Sequence, residues 1–136
     1  MTTLEFRCHP GIGEPARGAA LVAVDNFSAR YDLNRIEGVF SRPQHKLYGQ
    51  SYVDKILVLN AAKGGVATAW MFHAMKSIGV IPKALLLNFA NPILAQGAAF
   101  AGFPLMDRFD GDITTLIRTG DTVEVFPKDG RVVVTR

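Results

Sequence analysis

The sequence predicts an α/β domain in which a parallel sheet meets a barrel-like antiparallel part. Three observations carry this. Two short apolar runs, Lys55-Ile56-Leu57-Val58-Leu59 and Lys83 to Asn88, read as strands buried on both faces. Each is followed by a segment of helical spacing, so the middle of the chain is β-loop-α-β-α-β. β-rich segments flank that unit on both sides, the last of them a pair of alternating runs around a turn signal.

Taken in order, Gly11-Ile12-Gly13-Glu14-Pro15-Ala16-Arg17-Gly18 is turn-rich and leads into an apolar strand from Ala19 to Val24. Residues 25–50 mix polar, Gly and Pro residues and read as irregular or short-strand structure. After the 55–59 strand, Ala61-Ala62-Lys63-Gly64-Gly65 is a loop, and Val66 to Ile78 is a helix. Thr68, Met71, Phe72, Met75 and Ile78 form its apolar stripe, Lys76 and Ser77 lie off it, and Gly79 stops it. Asn91-Pro92 opens a second helix that runs to about Ala101 and ends at Gly102, because proline is favoured at the first helical position. Phe103 to Met106 reads as a third short strand, and Asp112 to Ile117 as one or two helical turns. Thr122 to Phe126 and Arg131 to Val134 alternate around Lys128-Asp129-Gly130 as a hairpin.

Length and composition set limits on function. A chain of 136 residues, 49% hydrophobic and 20% charged, reads as one domain over residues 1–136 with a core of its own, not a disordered tail or a coiled coil. No apolar run reaches the roughly 20 residues of a membrane helix. Glu5 stands where a signal peptide would be apolar, so the reading is cytoplasmic, with no membrane partner. The single Cys8 excludes an internal disulfide and cannot hold a zinc ion or an iron–sulfur cluster alone. Net charge is +3, but the nine arginines are scattered and no aromatic-and-basic ladder appears, so nucleic acid is not an expected partner.

The strongest chemical signal is Ala62-Lys63-Gly64-Gly65, which joins the end of a buried strand to the start of a helix. Ligands gather at the carboxyl ends of strands in α/β proteins, and a helix N-terminus offers free N–H groups. Paired glycines permit close backbone approach and Lys63 adds a positive charge, which suits a carboxylate or phosphate; the alternative is an ordinary strand-to-helix turn with a solvated lysine. The order of Lys63 and the glycines is not that of a P-loop. His45, in the polar segment Gln44-His45-Lys46-Leu47-Tyr48-Gly49-Gln50-Ser51, is a candidate substrate contact. Ser28, in Asp25-Asn26-Phe27-Ser28, either faces a site or belongs to a turn. Asn88, Asn91 and Gln96 are helix-capping residues or ligand contacts. His9, His45 and His73 are too widely spaced for a metal site, and His73 reads as structural.

The order of these segments resembles the small, swivelling-domain subunit of aconitase X-type dehydratases. The resemblance covers residues 11–134 and rests on Ala16-Arg17-Gly18-Ala19-Ala20-Leu21-Val22, the His45–Ser51 segment, Lys55–Leu59 and the Lys63-Gly64-Gly65 loop. It implies a single swivelling β/β/α domain within a two-chain hydro-lyase. It also implies a larger partner subunit that carries an iron–sulfur cluster, no cofactor on this chain, and a small hydroxy acid such as cis-3-hydroxy-L-proline or 5-phosphomevalonate as substrate.

One departure bears on mechanism. The family's loop serine falls at Gly65 and its arginine at Lys63, while its glycine is kept at Gly64. Glycine moves no proton, and lysine makes a point contact where arginine makes a two-pronged one. The expected substrate-binding set is Lys63, Gly64, Gly65 and Ser28, with Thr68 and His45 as candidate catalytic residues and no metal ligand. A binding or regulatory subunit, and an isomerase of an unsaturated acid, are the alternatives. A second likeness, to the mobile phosphohistidine domain of phosphoenolpyruvate-using enzymes, rests on residues 64–69 and Thr119–Val125. It excludes phosphotransfer, because the phosphorylated histidine would fall at Ala69.

Overall fold

The computed structural model describes residues 2–29, 31–63 and 66–136, without the side chains of residues 66–69. The first strand, β1 (Thr3–Arg7), was not among the expected elements. Its signal is the alternation of Leu4 and Phe6 with Glu5 and Arg7, and it pairs antiparallel with the last strand, Phe6 opposite Val132. β2 (Ala16–Val22) begins three residues earlier than the apolar run, so Gly18 lies inside the strand instead of opening it. That extension is made by pairing with an antiparallel neighbour, Ala16 to Ala19 against Val125 to Thr122, which the local pattern does not contain. Within the 25–50 region, β3 (Leu33–Asn34) and β4 (Val39–Phe40) form a two-strand ribbon.

The central unit follows the sequence closely. β5 (Ile56–Ala61), α1 (Val66–Ile78), β6 (Ala84–Phe89), α2 (Pro92–Ala101) and β7 (Leu105–Met106) succeed one another, then α3 (Ile113–Leu116), β8 (Thr122–Phe126), a 3-10 turn (Pro127–Asp129) and β9 (Arg131–Thr135). Asn91 caps α2 by accepting the Leu94 N–H at 2.8 Å. Gly102 closes α2 in the left-handed conformation, φ 64°. Gly130 turns the hairpin at φ 61°, where a Cβ would run into the Cys8 carbonyl oxygen.

Seven strands form one sheet in the order β1-β9-β8-β2-β5-β6-β7. β2, β5, β6 and β7 are mutually parallel, and β2 joins them to the antiparallel strands through β8. The segment after β1 crosses to the far edge, where Ile12 and Leu105 exchange backbone hydrogen bonds at 2.9 and 3.0 Å. This crossing produces the barrel-like part. The sheet buries both faces. Leu57 and Leu59 of β5 pack with Phe72 and Met75 of α1 and with α2, while Ile56 and Val58 pack with Val123, Val125, Val132 and Val134 on the other side. Of the stripe expected on α1, Phe72 and Met75 are buried, but Ile78 is 55% exposed because it comes in the last turn, beyond the residues that meet the sheet. Lys76 ties α1 to the C-terminal end of α2 by donating to the Ala101 carbonyl at 2.6 Å. His73 is exposed and tilted against Phe100, with ring centroids 5.4 Å apart. Among the described residues no helix is long and apolar enough to cross a membrane.

Candidate functional site

The carboxyl ends of β2, β5 and β6 lie side by side, because these three strands are parallel and adjacent. The chain leaving β2 as residues 23–28 is stitched to the end of β5. The Asn60 N–H donates to the Asp25 carbonyl at 2.7 Å, the Phe27 N–H to Ala61 at 2.9 Å, and the Lys63 N–H to Phe27 at 2.7 Å. Lys63, whose side chain is exposed, therefore hangs from the same backbone seam as Asn26 and Phe27. Gly64 and Gly65 and the Thr68 side chain, three of the expected site features, lie outside the described residues.

His45 sits under this seam and is buried. Its Nδ1 accepts the Leu47 N–H at 3.1 Å, which leaves the proton on Nε2, and Nε2 donates to the Asn26 carbonyl at 2.8 Å. The ring stacks on Phe40 with centroids 4.6 Å apart. Asp25 and Asp32 approach Nε2 at 3.8 and 3.9 Å. Both ring nitrogens are thus engaged with backbone, and the imidazole ties residue 26 to the 45–47 turn. Asp32 is itself spoken for, accepting from Arg42 Nε at 2.6 Å and from the Ser28 N–H at 2.9 Å.

Ser28 is buried in the same turn, where its Oγ accepts the Tyr31 N–H at 3.3 Å. Sequence reading thus found three positions, Ser28, His45 and Lys63, that the fold brings to one seam. Of their side chains, only that of Lys63 faces solvent. Burial raises the Asp25 carboxyl, but N–H donation from Lys46 and Asn26, with His45 and Arg42 nearby, outweighs it and holds the pKa below the ordinary carboxylate value.

A row of amides, which sequence reading missed except for Asn88, runs along the carboxyl edge. Asn88 Nδ2 donates to Asn60 Oδ1 at 3.0 Å, and Asn60 Nδ2 donates to Asn26 Oδ1 at 3.3 Å. At the far end Asn88 Nδ2 also donates to Asp112 Oδ1 at 2.8 Å, while Asn88 Oδ1 accepts the Ile113 N–H at 2.9 Å. Hydrogen bonds from the Thr114 hydroxyl and Asn88 lower the Asp112 pKa. Beside the row opens a hollow of about 710 Å³, whose lining includes Asn60, Asn88, Arg7, His9 and Arg108. Arg108 holds a positive φ of 60° and lies over the Phe89 ring, 5.8 Å from its centroid. Asn91 caps its helix, and Gln96 is exposed on α2. Among the described residues no three His, Cys, Asp or Glu side chains are grouped to hold a metal ion.

Comparison with known proteins gives this seam its context. Residues 5–134 match the aconitase X swivel domain family. The chain belongs to that family. The swivel chain is 33% identical over 132 residues to the phosphomevalonate dehydratase small subunit of Methanococcoides burtonii, covering 97% of this chain and 96% of the relative. It is 34% identical over 120 residues to the subunit of the same name from Thermococcus sibiricus, covering 88% and 90%. Its fold is similar to that in the crystal structure of Thermococcus kodakaraensis aconitase X in its holo-form, with a TM-score of 0.90, 26% identity, and 98% and 99% of the two chains covered. The swivel chain is thus a dehydratase small subunit of aconitase X type, and the family match begins inside the unexpected β1, at Glu5.

Proposed function

We propose that the swivel chain, with a larger subunit, removes water from 5-phosphomevalonate. The observation that carries the reading is the near-full-length similarity to two small subunits named for that dehydratase. The exposed Lys63 at the carboxyl edge of the parallel strands supports it, because the substrate has an anionic group at each end.

In this reading Lys63 neutralises one substrate oxyanion, with Gly64 and Gly65 as the substrate-binding positions next to it in the sequence. His45 and Ser28 hold the 25–28 seam from beneath. Elimination breaks one C–H and one C–O bond, forms the double bond and releases water. The proton and the hydroxyl leave toward groups of the larger subunit, which also carries the iron–sulfur cluster. Closure of the swivel chain over the cleft excludes solvent and fixes the substrate's orientation. The chain acts inside the cell's soluble interior as half of a heteromer.

The test is reconstitution. The chain and the larger subunit encoded with it are purified separately, mixed, and assayed by mass spectrometry for loss of water from 5-phosphomevalonate and from cis-3-hydroxy-L-proline. Turnover of the phosphorylated acid that needs both chains is the expected result. Turnover of the proline derivative alone, or by the larger subunit without this chain, overturns the reading.

A further inference from the structure

The amide row has a direction, and that direction is set at one end. Asp112, held ionised by its donors, accepts only, so Asn88 must present Nδ2 to it. The Ile113 N–H bonded to Asn88 Oδ1 fixes the same orientation independently. With Asn88 Nδ2 facing Asn60, Asn60 must turn its oxygen that way, since the reverse would oppose two donors. Asn60 then offers Nδ2 to Asn26, and Asn26 must answer with its oxygen. The carboxylate that caps α3 thereby orients, through Asn88 at the end of β6, an amide on the loop after β2.

The result is that Asn26 Nδ2, with two N–H bonds, has no protein partner among the described residues. Asn26 is half-buried, its carbonyl is pinned by His45, and the adjacent Phe27 carbonyl holds the Lys63 N–H. A fixed donor pair and a lysine thus hang from one seam. A free donor of fixed orientation is suited to an oxyanion, and a hydrogen bond to a charged partner is stronger than one between neutral groups.

We infer that Asn26 is a substrate-binding residue that donates from Nδ2 to the same substrate oxyanion that Lys63 neutralises, a carboxylate or phosphate oxygen. Asn60, Asn88 and Asp112 are positioning residues that fix its donor side. This rests on the reading of Lys63 given above, and the test separates the two.

In the reconstituted two-chain enzyme, Asn26→Asp keeps the shape and the bond from Asn60 but turns an anion toward the substrate. KM for 5-phosphomevalonate is expected to rise about 10- to 100-fold, with kcat within about 3-fold and the melting temperature little changed. Asn26→Ser, which removes the donor pair without adding charge, is expected to raise KM by a smaller factor. Lys63→Ala is measured alongside. If Lys63→Ala raises KM while both Asn26 variants leave it unchanged, this inference is overturned and the Lys63 reading survives. If neither position affects KM, both fall. The source of the oxyanion is read from competitive inhibition. Weaker inhibition of Asn26→Asp by inorganic phosphate alone assigns the phosphate, and weaker inhibition by mevalonate alone assigns the carboxylate.

Discussion

Replacing His45 with alanine separates a residue that holds the seam from one that carries a proton. The substitution removes a buried ring stacked on Phe40 and leaves the Leu47 N–H and the Asn26 carbonyl without their partner. Each abandoned backbone group costs about 1–3 kcal/mol if it stays dry, and the space left by the ring adds a cavity penalty. A loss of about 3–4 kcal/mol follows once some water has entered, equivalent to roughly 10–15 °C in melting temperature for a chain of this size. Thermal and urea unfolding of the purified chain measure it. The kinetic arm uses His45→Gln in the reconstituted enzyme, because a glutamine amide can still donate to the Asn26 carbonyl but cannot shuttle a proton. With a positioning role, kcat of the glutamine variant stays within about 10-fold of wild type, whereas losing a general acid or base costs about 10²- to 10⁴-fold. A folded His45→Gln enzyme with kcat reduced beyond 100-fold refutes the positioning argument. An alanine variant that melts within a few degrees of wild type refutes the structural one.

Three further outcomes are expected. Lys63→Ala, assayed in the two-chain enzyme, weakens substrate binding by about 2–3 kcal/mol, read as a rise in KM, while the stability of the chain barely changes because the side chain is exposed. Asp25 and Asp112 both titrate below the ordinary carboxylate value, so their contribution to stability is present above about pH 4 and is lost as the pH falls through their folded values. Urea midpoints are therefore flat from neutral pH to about 5 and drop below about 4, and Asp25→Asn shallows that drop. Burial, with Asp107 and Asp110 nearby, pushes the Cys8 thiol up to about 11; the smaller thiolate fraction outweighs the greater nucleophilicity of a more basic thiolate, so alkylation by iodoacetamide at neutral pH is about 10-fold or more slower than for a small free thiol, with the rate read by mass spectrometry.

The alternation of Leu4 and Phe6 with Glu5 and Arg7 shows where local reading stops. The pattern is present, but five residues become a strand only because β9 lies alongside them, and β9 is at the other end of the chain. Ala16 to Gly18 are drawn into β2 in the same way by β8. By contrast, α1 and α2 are written locally, in the period of their apolar residues and in the Asn91 and Gly102 caps, so their bounds match the sequence reading. The place of Lys63 just after a buried strand was also legible, because that juxtaposition is local.

His45 and the amide row were not legible in that way. The sequence marked His45 as a polar residue in a polar loop, and nothing near it shows that Asn26, Asp25 and Asp32 close around the ring. Asn26, Asn60 and Asn88 are separated by about thirty residues each, and they meet only because β2, β5 and β6 are adjacent, parallel and in a register that ends them at one edge. Sequence by itself determined the helices and the buried strands, since each follows from residues within one or two turns of one another. Tertiary structure alone decided which polar side chains are consumed and which remain free, because hydrogen-bond partners in this seam are supplied across strands by register, and register is a property of the whole sheet.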